Sequence, residues 1–235
     1  MTGASRGIGR AIAERALGAG SRVAIVARGD AVEQLAAELG ERCIGCRADV
    51  SDAASMEAVV DTVINAWGRV DVVVNNAGYH RGGRVERLAL EDWQRVLDVN
   101  LTGALNTIRA TQPHLAGGGA IVNVGAVVGF RGFPGDSAYA ASKAGLAGLT
   151  RALAIELAAK GITVNLVIPG LVLTEMTSGL SEKALETMRE TIPMGRYGEP
   201  AEIAEVVHWV GQARYMTGAL VPVDGGLLSS FGVPG

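Results

Sequence analysis

The sequence predicts an α/β fold, with helices on both faces of a mostly parallel, doubly wound sheet. Short runs rich in β-branched residues alternate along the chain with longer amphipathic stretches rich in Ala and Leu. This alternation is typical of strand–helix–strand units. In addition, TGASRGIG at residues 2–9 leads directly into the first helical pattern, as the glycine turn of a Rossmann-type nucleotide fold does.

Six strands and at least six helices follow from these patterns. We expect strands at 21–27, 42–48, 69–75, 119–124, 161–168 and 218–224, and helices that begin near Gly7, Asp30, Ser51, Leu90, Asp136 and Pro200. Ser51 is expected to be an N-cap, and Pro200 to occupy the first helical position after Glu199. The glycines 117–119 predict a tight helix-to-strand connection. Because no linker or repeat divides the chain, residues 1–235 are predicted to form one domain.

The start of the chain departs from the expected pattern. A doubly wound nucleotide fold begins with a strand that feeds the glycine turn, yet only Met1 and Thr2 precede Gly3. That strand is normally central, and without it the neighbouring strands would expose unpaired edges. We therefore expect the first strand to be missing or truncated here and the native chain to begin further upstream.

Composition narrows the functional classes. Hydrophobic residues make up 49% of the chain and charged residues 19%, which is compatible with a large buried core. The net charge of -3 argues against a nucleic-acid partner, which requires a basic surface. No apolar run reaches the roughly 18 residues of a membrane span. These features predict a cytoplasmic protein with neither a membrane nor a nucleic-acid partner.

Cys43 and Cys46 form a C-x-x-C pattern within a predicted strand. Residues three apart on a strand point to opposite faces, and a redox pair requires a helix N-terminus. We therefore expect two small buried hydrophobic side chains. No metal site is predicted, since the three histidines (His80, His114 and His208) are far apart in sequence.

Gly3, Gly7 and Gly9 have the spacing G-x-x-x-G-x-G. Glycines allow a sharp turn and a close backbone approach to a pyrophosphate, although many such turns open helices that bind nothing. The strand that follows ends in Arg28 without an acidic residue, and Arg6 lies within the turn. Two guanidinium groups favour a 2′-phosphate, so NADP(H) is expected rather than NAD(H). The alternative is that Arg28 is only a solvated loop residue.

Tyr139 and Lys143 lie four residues apart, on one face of a predicted helix. A phenol can donate a proton to a carbonyl oxygen, and a neighbouring ammonium favours its phenolate. A hydroxyl donor would be expected at the end of the preceding strand, but Gly125 and Ala126 are found there.

Taken together, these motifs resemble the short-chain dehydrogenase/reductase family, most closely its 3-oxoacyl-acyl-carrier-protein reductase branch. The resemblance runs from Thr2 to Gly226 and is carried by TGASRGIG, ADVSD, NNAG, DVNLTG, YAASK, IPGLVLTEM, PMGRYGEP and VDGG. It implies a seven-stranded, mostly parallel sheet and a homotetramer. The small residues of the helix at 137–158 would allow close packing between subunits.

The resemblance also implies a set of site residues. The catalytic positions are Asn100, Tyr139, Lys143 and Ala126, the last of which replaces a serine that lies thirteen residues before the tyrosine. The cofactor positions are Gly3, Ser5, Arg6, Gly7, Ile8, Gly9, Arg28, Asp49, Val50, Asn76, Ala77, Gly78, Tyr139, Lys143, Pro169, Gly170, Val172 and Thr174. Ser137 and Ser142 are not well placed to substitute for the missing hydroxyl, and Ser137 is expected to cap its helix.

The substrate implied by the resemblance is a ketone, either a small molecule or one linked to acyl carrier protein, with a 3-oxoacyl thioester as the leading class. Ala126 is expected to weaken the activity. His80, after NNAG, contacts substrate or is an ordinary surface residue. Residues 174–196 resemble the substrate lid, where Met176, Leu180, Leu185 and Met188 line an acyl pocket or anchor a helix. The rival hypothesis is a non-catalytic dinucleotide-binding protein, which the intact Asn100, Tyr139 and Lys143 disfavour.

Overall fold

Strands and helices alternate along the chain in the computed structural model, which describes residues 1–174 and 181–230. The strands are β1 Val23–Ala27, β2 Cys43–Arg47, β3 Val70–Asn75, β4 Leu115–Val124, β5 Thr163–Pro169 and β6 Leu220–Val223. The helices are α1 Gly7–Gly18, α2 Ala31–Leu39, α3 Ala53–Trp67, α4 Leu90–Leu97, α5 Gly103–Thr111, α6 Ser137–Ala158, α7 Glu182–Glu190 and α8 Pro200–Gln212. The predicted α/β class is confirmed.

All strand pairs are parallel. β1 pairs with β2, and β3, β4, β5 and β6 follow one another in a second group. Because parallel strands present their carboxyl ends at one edge, the loops after β1, β3, β4 and β5 meet there. In open α/β sheets this edge is where ligands bind, at the point where the strand order reverses.

Met1 and Thr2 lie between the two groups of strands. The amide of Val26 donates to the Met1 carbonyl at 2.9 Å, and the Thr2 amide donates to the Val74 carbonyl at 3.0 Å. Thr2 also forms an isolated parallel bridge with Val26. These two residues therefore take the position between β1 and β3 that a first strand would fill, and six strands are assigned within the described residues.

Helices cover both faces of the sheet. On one face, α1 and α8 pack over β3, β4 and β5, and the cluster there includes Ile12, Val122 and Val207. On the other face, α5 and α6 pack over the same strands through Ile108, Ile121 and Leu157 among others. Strand β5 is buried at every position, as expected for a central parallel strand covered on both sides.

Three local predictions at helix starts and turns are corrected. The N-cap of α3 is Asp52, whose carboxylate accepts from the Ala54 amide; Ser51 instead donates to Asp49. Helix α6 begins at Ser137 itself, with Asp136 at the N-cap, so Ser137 is not a cap. The glycines 117–119 lie inside β4, where the register with β3 shifts, and they form a bulge in the strand. The predicted start of α8 is confirmed, with a capping box between Glu199 and Glu202.

Both cysteines are free and lie on β2 as predicted; Cys46 is buried, but Cys43 is only half-buried, which corrects the prediction that both would be buried. Burial raises the pKa of each thiol, which opposes thiolate formation. The pair is therefore not built for redox chemistry. Within residues 1–174 and 181–230, no helix is both long and apolar enough to cross a membrane.

Candidate active site

The glycine turn has no space for larger residues. Gly3 and Gly7 have φ values of 65° and 54°, in the left-handed region that favours glycine. Gly9 is confined differently: a Cβ there would clash with the Gly3 carbonyl oxygen and lie 2.5 Å from Asn76 Nδ2. The turn leads into α1, whose N-cap Arg6 makes no side-chain capping bond. First-turn amides of this kind suit an anionic ligand.

Thr2 joins this turn to the loop after β3. Its hydroxyl oxygen accepts from the amides of Asn76 at 3.2 Å and Ala77 at 3.1 Å. In return, Asn76 Nδ2 donates to the Gly3 carbonyl at 2.9 Å. Asn76 and Ala77 were predicted from the sequence to lie near a cofactor, but Thr2 was not. Its position directly before the first glycine of the motif could have indicated that its hydroxyl supports the turn.

Arg28 and Asp49 lie together at the carboxyl ends of β1 and β2. They line an open cleft of about 560 Å³ together with Arg95 and Val99 at the other wall. Arg28 is exposed, and its Nη1 lies 4.0 Å from Asp49 Oδ2. A carboxylate therefore does lie beside Arg28. It comes from the loop after β2 and not from the tip of β1, which is why the β1 sequence did not reveal it.

Asp49 is held as an anion. Partial burial acts to raise its pKa, but hydrogen bonds from Ser51 and the positive charges of Arg28 and Arg95 outweigh it, and the pKa is lowered. The adjacent Val50 is buried and its carbonyl accepts from Asn106 at 3.0 Å. This loop is therefore a fixed wall of the cleft.

Lys143 lies deep below Tyr139 on α6. Its side chain is only 3% exposed, and Nζ donates to the Val124 carbonyl at the end of β4 at 2.9 Å. Nζ lies 5.6 Å from the centroid of the Tyr139 ring. Burial lowers the pKa of Lys143 to about 8. The i,i+4 spacing thus brings the two predicted groups together.

Tyr139 differs electrostatically from the sequence-based expectation. Burial, reinforced by the nearby Asp136 carboxylate, raises its pKa to about 12. The net direction is therefore opposite to the one that a neighbouring ammonium was expected to produce. The reason is that burial of the phenol dominates, and burial also disfavours the charge on Lys143.

Asn100 lies in a π-helical turn, Asp98–Thr102, that interrupts the helical path between α4 and α5. Its side chain is 1% exposed. Asn100 Oδ1 accepts from the Tyr79 amide at 2.7 Å, and Nδ2 donates to the Tyr79 carbonyl at 3.0 Å and to Ser142 Oγ at 2.9 Å. Ser142 Oγ donates onward to the Tyr139 carbonyl at 2.7 Å. Asn100 therefore links the loop after β3 to the helix that carries Tyr139, while Ser142 is buried in this network.

Ala126 follows the end of β4 in extended conformation, with φ of -165°. It is half-buried, and a short helical turn at 127–129 follows it. That turn packs tightly on α6, because a Cβ on Gly129 would lie 2.7 Å from the Ala144 amide nitrogen. The position is therefore held firmly against the helix that carries Tyr139, and its side chain is a methyl group.

The segment after β5 forms another wall of this edge. Pro169 ends the strand, and the Gly170 amide donates to the Val223 carbonyl at 2.9 Å. A Cβ on Gly170 would lie 2.6 Å from Asp224 Cα. Val172 is buried and bridges to Gly198. Of the predicted lid residues, Leu185 and Met188 are half-buried on α7, while Met176 and Leu180 lie outside the described residues.

The predicted residues therefore gather along one edge of the sheet. Tyr139, Lys143 and Asn100 form a connected group. Asn76 and the glycine turn form a second group, while Arg28 and Asp49 mark the far end of the cleft. No cluster of three or more His, Cys, Asp or Glu side chains suited to a metal occurs in the described ranges.

Comparison with known proteins identifies this arrangement. A family model described as "Enoyl-(Acyl carrier protein) reductase" matches residues 3–228. The structure superposes with a TM-score of 0.91 on a short-chain dehydrogenase/reductase from Serratia marcescens, at 37% identity over 97% of this chain and 96% of the other. The chain belongs to the short-chain dehydrogenase/reductase family. It is thus an oxidoreductase of the short-chain dehydrogenase/reductase type, as the motifs predicted.

Other members of the family are similar over nearly their whole length. Carbonyl reductase family member 4 of Danio rerio is 43% identical over 96% of this chain and 95% of its own. The 3-oxoacyl-[acyl-carrier-protein] reductase FabG of Staphylococcus aureus is 40% identical over 97% and 96%. A blue fluorescent protein from a metagenomic library, solved in complex with NADPH, has a TM-score of 0.91 at 36% identity, over 96% of this chain and 95% of its own.

Proposed function

We propose that this short-chain dehydrogenase/reductase uses NADPH to reduce a ketone to a secondary alcohol, and that Ala126 limits its rate. The observation that carries the proposal is the connected group of Tyr139, Lys143 and Asn100 at the sheet edge, next to a glycine turn that tolerates no added side chain. The Asn100 amide is linked through Ser142 to the backbone carbonyl of Tyr139, and the Lys143 ammonium lies 5.6 Å from the centroid of the phenol ring. The proposed proton path runs from the phenol to this ammonium.

The glycine turn fits a dinucleotide. Gly9 leaves space that a Cβ would fill, and the uncapped first turn of α1 offers amide donors to a pyrophosphate. Arg28 and Arg6 would hold a 2′-phosphate, while Asp49 and Val50 would contact the adenine. Similarity to a protein solved with NADPH supports the same choice. When bound, NADPH supplies the hydride for the reduction.

Tyr139 supplies the proton to the developing alkoxide from its hydroxyl. Because its pKa is raised to about 12, the phenol stays protonated throughout the neutral range, the state that reduction requires. Lys143, with a pKa near 8, is a mixture of ammonium and amine at slightly alkaline pH. It can therefore bind ribose hydroxyls and return a proton to the tyrosine. Asn100 fixes the helix start through Ser142.

Ala126 leaves the substrate carbonyl with one donor fewer. Removing a preorganised donor to a developing oxyanion costs on the order of 10²–10³ in rate. The methyl group changes little else, because the backbone at Ala126 is ordinary extended chain. The proposed reductase therefore binds its cofactor normally but turns over slowly.

A 3-oxoacyl thioester is the leading substrate class. The relative from Staphylococcus aureus that covers almost the whole chain is named for this reaction. Half-buried Leu185 and Met188 on α7 offer apolar surface for an acyl chain. The relative from Danio rerio is named as a carbonyl reductase, so smaller ketones form the second class to be assayed.

The test is a panel of 3-oxoacyl thioesters and simple ketones, with consumption of NADPH or NADH followed by absorbance. We expect slow turnover with NADPH, faster for the thioesters, and none for Tyr139→Phe. Tight NADPH binding with no turnover of any ketone, by this chain or by Ala126→Ser, would contradict the reductase proposal. That result would favour a non-catalytic dinucleotide-binding protein.

A further inference from the structure

Two loops meet beside Tyr139 through a histidine–aspartate pair. His80 Nε2 lies 2.8 Å from Asp136 Oδ1, across 56 residues of sequence. Nearby, the Gly83 amide donates to the Gly135 carbonyl at 2.8 Å. Both contacts join the loop after β3 to the segment that enters α6. Because Tyr139 is in the first turn of α6, these contacts fix the surroundings of its ring.

His80 also contacts Tyr139 directly. The two rings meet edge to face, with centroids 5.1 Å apart and planes at 87°. This is a favoured geometry for aromatic pairs. The Asp136 side chain is 16% exposed and that of His80 is 36% exposed, so their bond is shielded from solvent on the Asp136 side only. Asp136 stands at the N-cap of α6 but makes no side-chain capping bond there. Its carboxylate is directed to His80 instead.

We propose that His80, held by Asp136, is a positioning residue for Tyr139, fixing the phenol ring in the orientation from which its hydroxyl reaches a substrate carbonyl. This inference rests on the proposed reductase function. Small errors in the orientation of a reacting group can cost about 10²-fold in rate. The orientation of Tyr139 matters more here, because Ala126 offers no second hydrogen-bond donor to hold the substrate carbonyl.

The charges around Tyr139 give the pair a second consequence. The groups that face its ring are His80 from the loop after β3, Asp136 from the segment before α6, and Lys143 from α6. The hydrogen bond to Asp136 raises the pKa of His80. Burial raises the pKa of Tyr139, and the Asp136 carboxylate raises it further. Below the His80 pKa the imidazolium offsets the carboxylate. Above it, the uncompensated carboxylate makes Tyr139 a weaker acid, so the reduction rate should fall as pH rises through the His80 pKa.

The kinetic test uses His80→Ala, Asp136→Ala and the double variant, each in this chain and in Ala126→Ser. We expect kcat to fall at least about tenfold in each single variant, with KM and the Kd for NADPH little changed. The double variant should be no worse than either single one, because the two residues act as a unit. Asp136→Asn keeps an acceptor oxygen and should restore most of kcat while removing the pH step. The control is His208→Ala on α8, whose ring lies 3.0 Å from Gln212 and which should change nothing.

Unchanged kcat in His80→Ala, or additive losses in the double variant, would overturn the proposal. A second measurement does not depend on turnover. Nuclear magnetic resonance of tyrosine labelled with ¹³C at Cζ, assigned with Tyr139→Phe, should show a lower Tyr139 pKa in Asp136→Ala and loss of the ring contact with His80. An unchanged Tyr139 resonance would overturn the positioning role. Absence of turnover in every variant, with the expected resonance changes, would contradict the reductase function alone.

Discussion

The buried ammonium of Lys143 links the chemistry of the site to the stability of the fold. Its location follows in part from a feature visible in the sequence, the i,i+4 spacing that places it on the same helical face as Tyr139. What the sequence did not reveal is the Val124 carbonyl that accepts from Nζ, because that contact depends on how α6 settles on the strand end. For the same reason, the raised pKa of Tyr139 follows from packing and not from the Tyr–Lys spacing.

Lys143→Met tests the cost of this burial. The folded-state pKa of Lys143, about 8, lies below the ordinary value of 10.5, so the unfolded chain binds the proton more tightly between those pH values. The free energy of unfolding of the native sequence, measured relative to Lys143→Met, should therefore rise from pH 8 towards pH 10.5, by on the order of 3 kcal/mol in total. Urea titrations across this range measure it. A pH-independent difference would show that the lysine is not significantly desolvated.

Arg28 is the residue on which we propose that the choice of cofactor depends. Arg28→Asp should weaken NADPH binding by at least about tenfold, because it replaces a charge-assisted hydrogen bond to the 2′-phosphate with repulsion. NADH binding should weaken less or improve. Fluorescence titration with both cofactors is the measurement. An unchanged preference for NADPH would rule out this role.

At the scale of elements, the glycine turn and the strand ends determine the site. The glycine spacing predicted the turn, and the alternation of strands and helices predicted a parallel sheet, whose strands present their carboxyl ends at one edge. The hydroxyl of Thr2 and the carboxylate of Asp224 were missed, although each fixes a loop at this edge. Asp224 accepts from the amides of Gly226 at 2.9 Å and Leu228 at 2.7 Å, which gives the terminal VDGG motif a structural reason. These side-chain-to-backbone hydrogen bonds depend on the tertiary structure, which the spacing of residues in the sequence does not determine.

Gly9→Ala tests the turn as an element. The added Cβ would meet the Gly3 carbonyl and Asn76 Nδ2, so the turn must shift. We expect a loss of NADPH affinity of at least about tenfold and a lower melting temperature, by a mechanism typical of overpacking. Gly18→Ala, at the other end of α1, meets nothing within 4 Å and should be neutral or slightly stabilising. Equal behaviour of the two variants in the binding titration would contradict the close approach at Gly9.

At the scale of the whole molecule, the sheet is divided where Met1 and Thr2 stand in place of a strand. The doubly wound class was predictable because periodicity and strand–helix alternation extend over the whole chain. The bulge of glycines inside β4 was not predictable, since glycine-rich runs are also found in connections between elements.

Helix α6, rich in small residues, presents Ile155 at 82% exposure, beside Ala154 and Ala158 and close to Gly218 before β6. We propose that this face packs against a second copy in a homotetramer.

Sedimentation velocity tests the assembly. The native sequence should sediment as a tetramer, and Ile155→Arg should shift it to a smaller species, because the substitution places a charge in an apolar contact. A monomer in the native sequence at micromolar concentration would contradict this proposal.

We propose that the site as a whole has every group that a ketone reduction requires except one hydroxyl, at Ala126. The most direct measurement is therefore kcat/KM for NADPH-dependent reduction of a 3-oxoacyl thioester by this chain and by Ala126→Ser. We predict an increase on the order of 10²-fold for the serine variant, with the Kd for NADPH unchanged. No increase, with NADPH still bound, would contradict the claim that the framework is otherwise complete.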